Sequence, residues 1–234
     1  MLFKETVKQG TLDLISRLMQ DQLLHSFYLV GGTALSLKIG HRESIDIDLF
    51  NSGDFDGDHL AGYMKEVYGA DVRRHKSNYV SGSIDNVDFD FISHKYPSIK
   101  PLETIEGIRM MSLQDIAAMK VNAIVNSGER VKDFIDIHYL LKGMEISDIL
   151  DHYCYKYPNV DVNTAISSLS YHQDVDLNVP VVLKDKTLKW QDVSKSINHA
   201  VRKYHEQQKS MKSYLKIKKK GKDRGNDPEQ GLGL

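Results

Sequence analysis

With 234 residues, 41% of them apolar and 27% charged, the chain can hold one large domain or two small ones and needs neither disulfides nor structural zinc to close a core. The lone Cys154 excludes an intramolecular disulfide, and a formal net charge of -1 carries no global signal for nucleic acid, so only local charge can inform. The first ten residues lack an apolar signal core and no apolar run approaches the roughly 20 residues of a membrane span, which predicts a cytoplasmic protein with no membrane partner.

Leu12, Ile15, Met19 and Leu23 recur at helical spacing with polar residues between them and predict an amphipathic first helix. Phe27 to Val30 reads as a buried strand, ended by Gly31-Gly32 and followed by a short helix over Thr33 to Lys38 that Gly40 closes. Ile45-Asp46-Ile47-Asp48-Leu49 alternates with period two, sending the apolar residues to one face and both aspartates to the other. A helix over Asp58 to Tyr68 and a hairpin over Asp71 to Ser83 come next. A second alternating strand, Val87-Asp88-Phe89-Asp90-Phe91, answers the first.

From Ser112 the period changes. Ser112-Leu113-Gln114-Asp115 resembles a capping box with Asp in place of Glu, and Leu113, Ile116, Lys120, Ala123 and Ile124 follow at helical spacing. Further helices are predicted over Val131 to Lys142, Ser147 to Tyr155, Val162 to Ser170 and Trp190 to Gln207, with Trp190, Val193 and Ile197 read as core and His172 to Lys189 as a polar connection. Lys212, Lys216, Lys218, Lys219, Lys220, Lys222 and Arg224 then stand against a single Asp223, so the end from residue 209 is read as a disordered basic tail, either an electrostatic RNA contact or a solubilising end.

Carboxylates at i and i+2 on one strand face can share divalent cations, and a third from a neighbouring strand can complete the site. Alone, alternating aspartates are common on solvated strands. Here Gly31-Gly32 opens a helix just before them, where backbone N–H groups can approach phosphate oxygens, and Thr33 can add a hydroxyl. Asp133 and Asp136 lie on one helix face that can meet Lys120, either around a triphosphate or as a structural ion pair. Arg42 has the same choice between a phosphate clamp and a salt bridge. The ten histidines show no zinc spacing.

Gly31-Gly32, thirteen residues and Asp46-Ile47-Asp48 resemble the nucleotidyltransferase signature, and the runs GGTALSL at 31–37 and HRESIDIDLF at 41–50 resemble the AbiEii/AbiGii toxin family of the DNA polymerase β-like nucleotidyltransferase superfamily. SLQDIAAMK, DFIDIHYLL and LSYHQDVD extend the resemblance over roughly residues 10 to 205, although His172 and Gln173 depart from it and leave Asp174 and Asp176 as surface acids. The resemblance implies Asp46, Asp48 and Asp90 as catalytic Mg2+ ligands, with Asp90 rather than Asp88 set by register. It implies nucleotide binding by Gly31, Gly32, Thr33, Arg42, Ser44, Lys120, Asp133 and Asp136.

The expected fold is α+β: a polymerase β-like nucleotidyltransferase domain with a mixed sheet over 1–108, a helical domain over 109–208, and the tail. The expected activity is Mg2+-dependent transfer of a nucleoside monophosphate from an NTP to a hydroxyl. The resemblance implies a toxin of a toxin–antitoxin or phage-defence (abortive infection) system, with tRNA or other RNA as acceptor and a separately encoded antitoxin as partner. A small-molecule or protein acceptor, and a nucleotide-binding regulator without turnover, are the alternatives.

Overall fold

A computed structural model describes residues 1–223. Seven strands, β1 (Tyr28–Leu29), β2 (Ile47–Asn51), β3 (Asp71–Lys76), β4 (Tyr79–Ile84), β5 (Val87–Ser93), β6 (Glu103–Ile105) and β7 (Ile108–Met110), form one sheet in the order β3-β4-β5-β2-β1-β7-β6. The sheet is mixed: β2 runs parallel to β5 and β1 parallel to β7, while the remaining neighbours are antiparallel. α1 (Gln9–Gln20), α2 (Gly31–Ile39) and α3 (Gly57–Tyr68) are interleaved with the strands, and α4 (Leu113–Asn126), α5 (Val131–Leu140), α6 (Ile146–Lys156), α7 (Val162–Ser170) and α8 (Trp190–Asp223) follow them.

The period-two strands fold as their pattern dictates. Ile47, Leu49, Phe89 and Phe91 are all buried, and the parallel register sets Asp48 beside Asp90 on the other face. β4 and β5 are joined by Asp85 and Asn86, both at positive φ, the conformation of a two-residue type I′ hairpin turn. The β6–β7 hairpin turns the same way, through Glu106 and Gly107 at φ 50° and 81°. The sequence does not announce these two strands, because three residues are too few to display a period.

α4 is the hub of the helical half and packs on α2, α5, α6 and α7, so one continuous core joins the sheet to the helices. Ser112 caps it by accepting from Asp115 N–H. Asp115 does not reach back as the Glu of a capping box does; it is fully buried, accepts from Ser112 Oγ, Ile99 N–H and Lys100 N–H, and pairs with the buried Lys156 at 2.8 Å.

Four expectations are corrected. Leu23 lies beyond α1 and is exposed, because the helix stops at Gln20. Ile45 is 52% exposed and precedes β2, so it does not share the buried face of Ile47 and Leu49. The segment read as a disordered tail from residue 209 continues α8 through Asp223, since lysine, glutamine, methionine and leucine are good helix formers even without a face to bury. Arg224 and the glycine-containing end lie outside the described residues. The expected break at 108/109 falls inside β7, which ends at Met110. Val193 and Ile197 are buried as expected, and the half-buried Trp190 packs edge-on against Phe134.

Candidate active site

Asp48 stands at the centre of a cleft of about 240 Å3 between the sheet and α4–α5. Val30 N–H donates to the Asp48 carbonyl at 2.9 Å and pins the end of β1 there. Gly31 follows with φ 68°, and a Cβ at this position would overlap the Asp48 carboxylate; at Gly32 it would come within 2.5 Å of Arg42 Nη2. Glycine is therefore required at 31 on two counts, and the pair brings the free N–H groups of the first turn of α2 to the cleft wall.

The carboxylates are arranged unequally. Asp46 is exposed just before β2, and neither its side chain nor that of Asp48 receives a hydrogen bond or a salt bridge among the described residues. Burial, together with the like charges of Asp90 and Asp46, pushes the Asp48 carboxyl up to about 6 against the pull of Lys120 and Arg130. Asp90, level with Asp48 on β5, accepts from the Tyr79 hydroxyl at 3.0 Å and is not part of the cleft lining. Asp88 is 56% exposed and paired with Arg73 at 2.7 Å. Among the described residues, no three acid, histidine or cysteine side chains converge closely enough to hold one ion. The donor set nevertheless suits a hard divalent cation: two carboxylates without protein donors among the described residues, one with its proton affinity raised by burial and by its acidic neighbours, and a third alongside.

Opposite the acids lies a buried charge network. Asp136 accepts from Arg42 Nε and Nη2 at 2.7 and 2.9 Å, meets His41 Nε2 at 2.7 Å, and pairs with Lys120 Nζ at 2.7 Å. Lys120 also donates to Asp133 at 2.7 Å, and Arg130 approaches the same carboxylate at 3.5 Å. Burial opposes ionisation of Asp136, but the Lys120 and Arg42 charges and the hydrogen bonds from His41 and Arg42 hold its carboxyl well below the usual range. Burial also lowers the His41 imidazole, against the hydrogen bond and charge of Asp136.

Arg42, Ser44, Lys120 and Asp133 line the cleft, whereas Asp136 sits behind it and orients Arg42 and Lys120. Thr33 is also behind the wall. Its Oγ1 donates to the Asp46 carbonyl and lies 2.9 Å from Ser44 Oγ, which fastens the Asp46 loop to α2. Arg130 and Lys132 are two further cations of the lining that the sequence reading misses; the signal available is their position just ahead of the acids of α5. Phe50, Ile92 and Met119 supply an apolar part of the wall.

The sequence matches the family described as Nucleotidyl transferase AbiEii toxin, type IV TA system, over residues 13–216. The chain belongs to this family. An uncharacterised protein of Aquifex aeolicus is 28% identical over 190 residues, spanning 79% of this chain and 90% of that protein. In fold, this AbiEii-family nucleotidyltransferase resembles the nucleotidyltransferase toxin MenT4 of Mycobacterium tuberculosis, with a TM-score of 0.54 at 10% identity over 83% of this chain and 84% of the other. It also resembles an H. pylori protein assigned as a nucleotidyltransferase, with a TM-score of 0.52 at 15% identity over 87% and 98%. The expected α+β architecture, a mixed sheet followed by helices, is the one observed.

Proposed function

We propose that this toxin-family nucleotidyltransferase moves a nucleoside monophosphate from an NTP to an RNA hydroxyl in the cytoplasm, with Mg2+ as cofactor and tRNA as the first acceptor to test. A separately encoded antitoxin is its proposed counterpart, in a toxin–antitoxin or abortive-infection setting. Among the described residues, no helix is long and apolar enough to cross a membrane.

The observation that carries this reading is the placement of Asp46 and Asp48, unpartnered among the described residues, beside the glycine-opened N-terminus of α2, with Lys120 across the cleft. Asp46, Asp48 and Asp90 would hold Mg2+, whose chemistry when bound is to acidify the attacking hydroxyl and offset charge on the departing pyrophosphate. The N–H groups of Gly31 and Gly32 are aligned to receive phosphate oxygens, with the helix dipole favouring negative charge. Arg42, held in its fork by Asp136, and Lys120, held by Asp133 and Asp136, present fixed positive charge that needs no reorganisation when charge builds on the phosphates. Ser44 adds a hydroxyl at the same wall, while Thr33, Asp133 and Asp136 act by positioning.

Purified protein incubated with each α-labelled NTP and total cellular RNA should transfer label to RNA only when Mg2+ is present. Asp48→Asn should abolish transfer without lowering the unfolding midpoint at neutral pH, because it removes a charge that burial and its acidic neighbours disfavour, on a carboxylate that makes no protein hydrogen bond among the described residues. Wild-type turnover by this variant, or label that never reaches RNA, would overturn the assignment of site or acceptor respectively.

A further inference from the structure

Past the carboxylates the same sheet face becomes aromatic. Phe50 lies two residues beyond Asp48 on β2, and Ile92 two beyond Asp90 on β5, in register with Phe50. His94 follows, its ring stacked on Phe50 with centroids 4.8 Å apart and planes at 27°, and its N–H donates to the Asn51 carbonyl at 2.7 Å to fix the two strand ends together. Tyr96 meets His94 at 4.9 Å and remains 47% exposed, while the buried Tyr157, the C-cap residue of α6, packs edge-on against both rings at 6.1 and 4.7 Å.

The direction of this surface decides what it can receive. β1 is antiparallel to β2 with Tyr28 opposite Phe50 and Leu29 opposite Leu49, so the chain reaches Gly31-Gly32 by running away from Phe50. The phosphate cradle at the start of α2 and the aromatic surface therefore lie in opposite directions along β2 from Asp48. A side-chain repeat on one strand face is about 6.8 Å, so Phe50 is one repeat from the reacting centre, about the length of one nucleotide. A donor triphosphate on the α2 side leaves the aromatic side for the strand that carries the attacking hydroxyl.

We propose that Phe50, His94 and Tyr96 form a stacking platform for the unpaired terminal base of a single-stranded RNA acceptor. The proposal rests on the reading of RNA as acceptor and adds the place and form of its recognition. The patch is mostly apolar, its rings inclined to one another by 27° between Phe50 and His94 and by 54° between His94 and Tyr96, and His94 Nδ1 is buried without a partner among the described residues, so the patch grips a base by its face and discriminates weakly among bases. A base held in a duplex has no free face to offer it.

The test uses a single-stranded oligoribonucleotide with 2-aminopurine at its 3′ end, whose fluorescence is quenched on stacking, and a fluorescent ribose-labelled NTP as donor probe. Tyr96 is 47% exposed and meets the buried core at Tyr157. Tyr96→Ala should weaken oligonucleotide binding and reduce quenching on the order of tenfold, leave donor affinity unchanged, and raise KM for acceptor without lowering kcat; Tyr96→Phe should restore binding. Equal oligonucleotide affinity in Tyr96→Ala, equal losses for donor and oligonucleotide, or a blunt hairpin bound as tightly as the single strand would each overturn the platform. Because binding is read without turnover, a chain that stacks the oligonucleotide but labels no RNA would overturn the transfer reading and leave the platform standing.

Discussion

Asp88 and Asp90 are identical side chains two residues apart on one strand face, and their surroundings separate them. Asp90 is level with Asp48 across the parallel pair, while Asp88 faces outward to Arg73. Asp90→Asn should cost at least about a hundredfold in transfer rate, as removal of one electrostatic group from a reacting centre does. Asp88→Asn should lose only an exposed ion pair, worth under about 1 kcal/mol of stability. Transfer rates and unfolding midpoints measured on both variants decide the matter, and the reverse order of rates would move the third carboxylate to Asp88. Asp46, Asp48 and the glycines are legible in the sequence because period two and a glycine pair each have a local cause: a pleated strand, and a backbone too close to Asp48 for a Cβ. Arg130 and Lys132 are not, since a cation at a helix start is ordinary until the fold shows what it faces.

At the scale of elements, α4, α5 and the loop after α2 are joined through one carboxylate, and this makes their association depend on pH. Asp136 has a folded pKa held well below its unfolded value near 3.8, so its contribution is fully present above about pH 4 and disappears as pH falls through the folded value. His41 is likewise lowered from 6.5, and its contribution begins to fall once the pH drops below that value. Lys120 is raised from 10.5: burial lowers it, but Asp136 and Asp133 prevail, so its contribution holds below 10.5 and disappears as pH rises through the folded value. These three groups together leave stability flat between about pH 7 and 10 and lower it on both sides, while Asp48, raised to about 6, adds stability as pH falls from 6 towards 3.8 and offsets part of the acid-side loss. Asp136→Asn leaves buried cations short of a partner and should destabilise by about 3–5 kcal/mol at neutral pH, with the gap to wild type narrowing towards pH 3. A gap constant from pH 7 to pH 3 would show that Asp136 acts by packing and not by charge. The sequence leaves structure and phosphate binding open for these residues because helical spacing can align Asp133 and Asp136 but cannot say which faces solvent.

The whole molecule closes its cleft with residues far apart in the chain. The connection before α8 returns to the site: Glu43 N–H donates to the Val182 carbonyl, Lys184 N–H to the His41 carbonyl, and Asp176 N–H to the Glu129 carbonyl, so the loops carrying Arg42 and Arg130 are held by one late segment. Such pairings have no local signature, which is why that segment reads as a plain polar connection. α8 then leaves the body. Among its described side chains the last buried one is Val201 and Tyr204 is half-buried, whereas Met211, Tyr214 and Leu215 are exposed. Deleting Lys212 to Leu234 should therefore leave the unfolding midpoint unchanged, since the buried residues of α8 among its described side chains, Val193, Ile197 and Val201, all precede the cut. The same deletion removes seven basic residues between Lys212 and Arg224, against the single Asp223 within that stretch. If this helix gathers RNA, the truncated chain should bind it more weakly, and the slope of log K against log salt should become shallower by about 0.7 for each phosphate of the single strand that is no longer neutralised. Transfer at saturating acceptor should survive, because Asp46, Asp48 and Asp90 are untouched. Titration of both chains at several salt concentrations makes the comparison: identical affinity and slope would assign the segment from Lys212 a solubilising role, and an absence of transfer at saturation would mean that this segment reaches into the reaction itself.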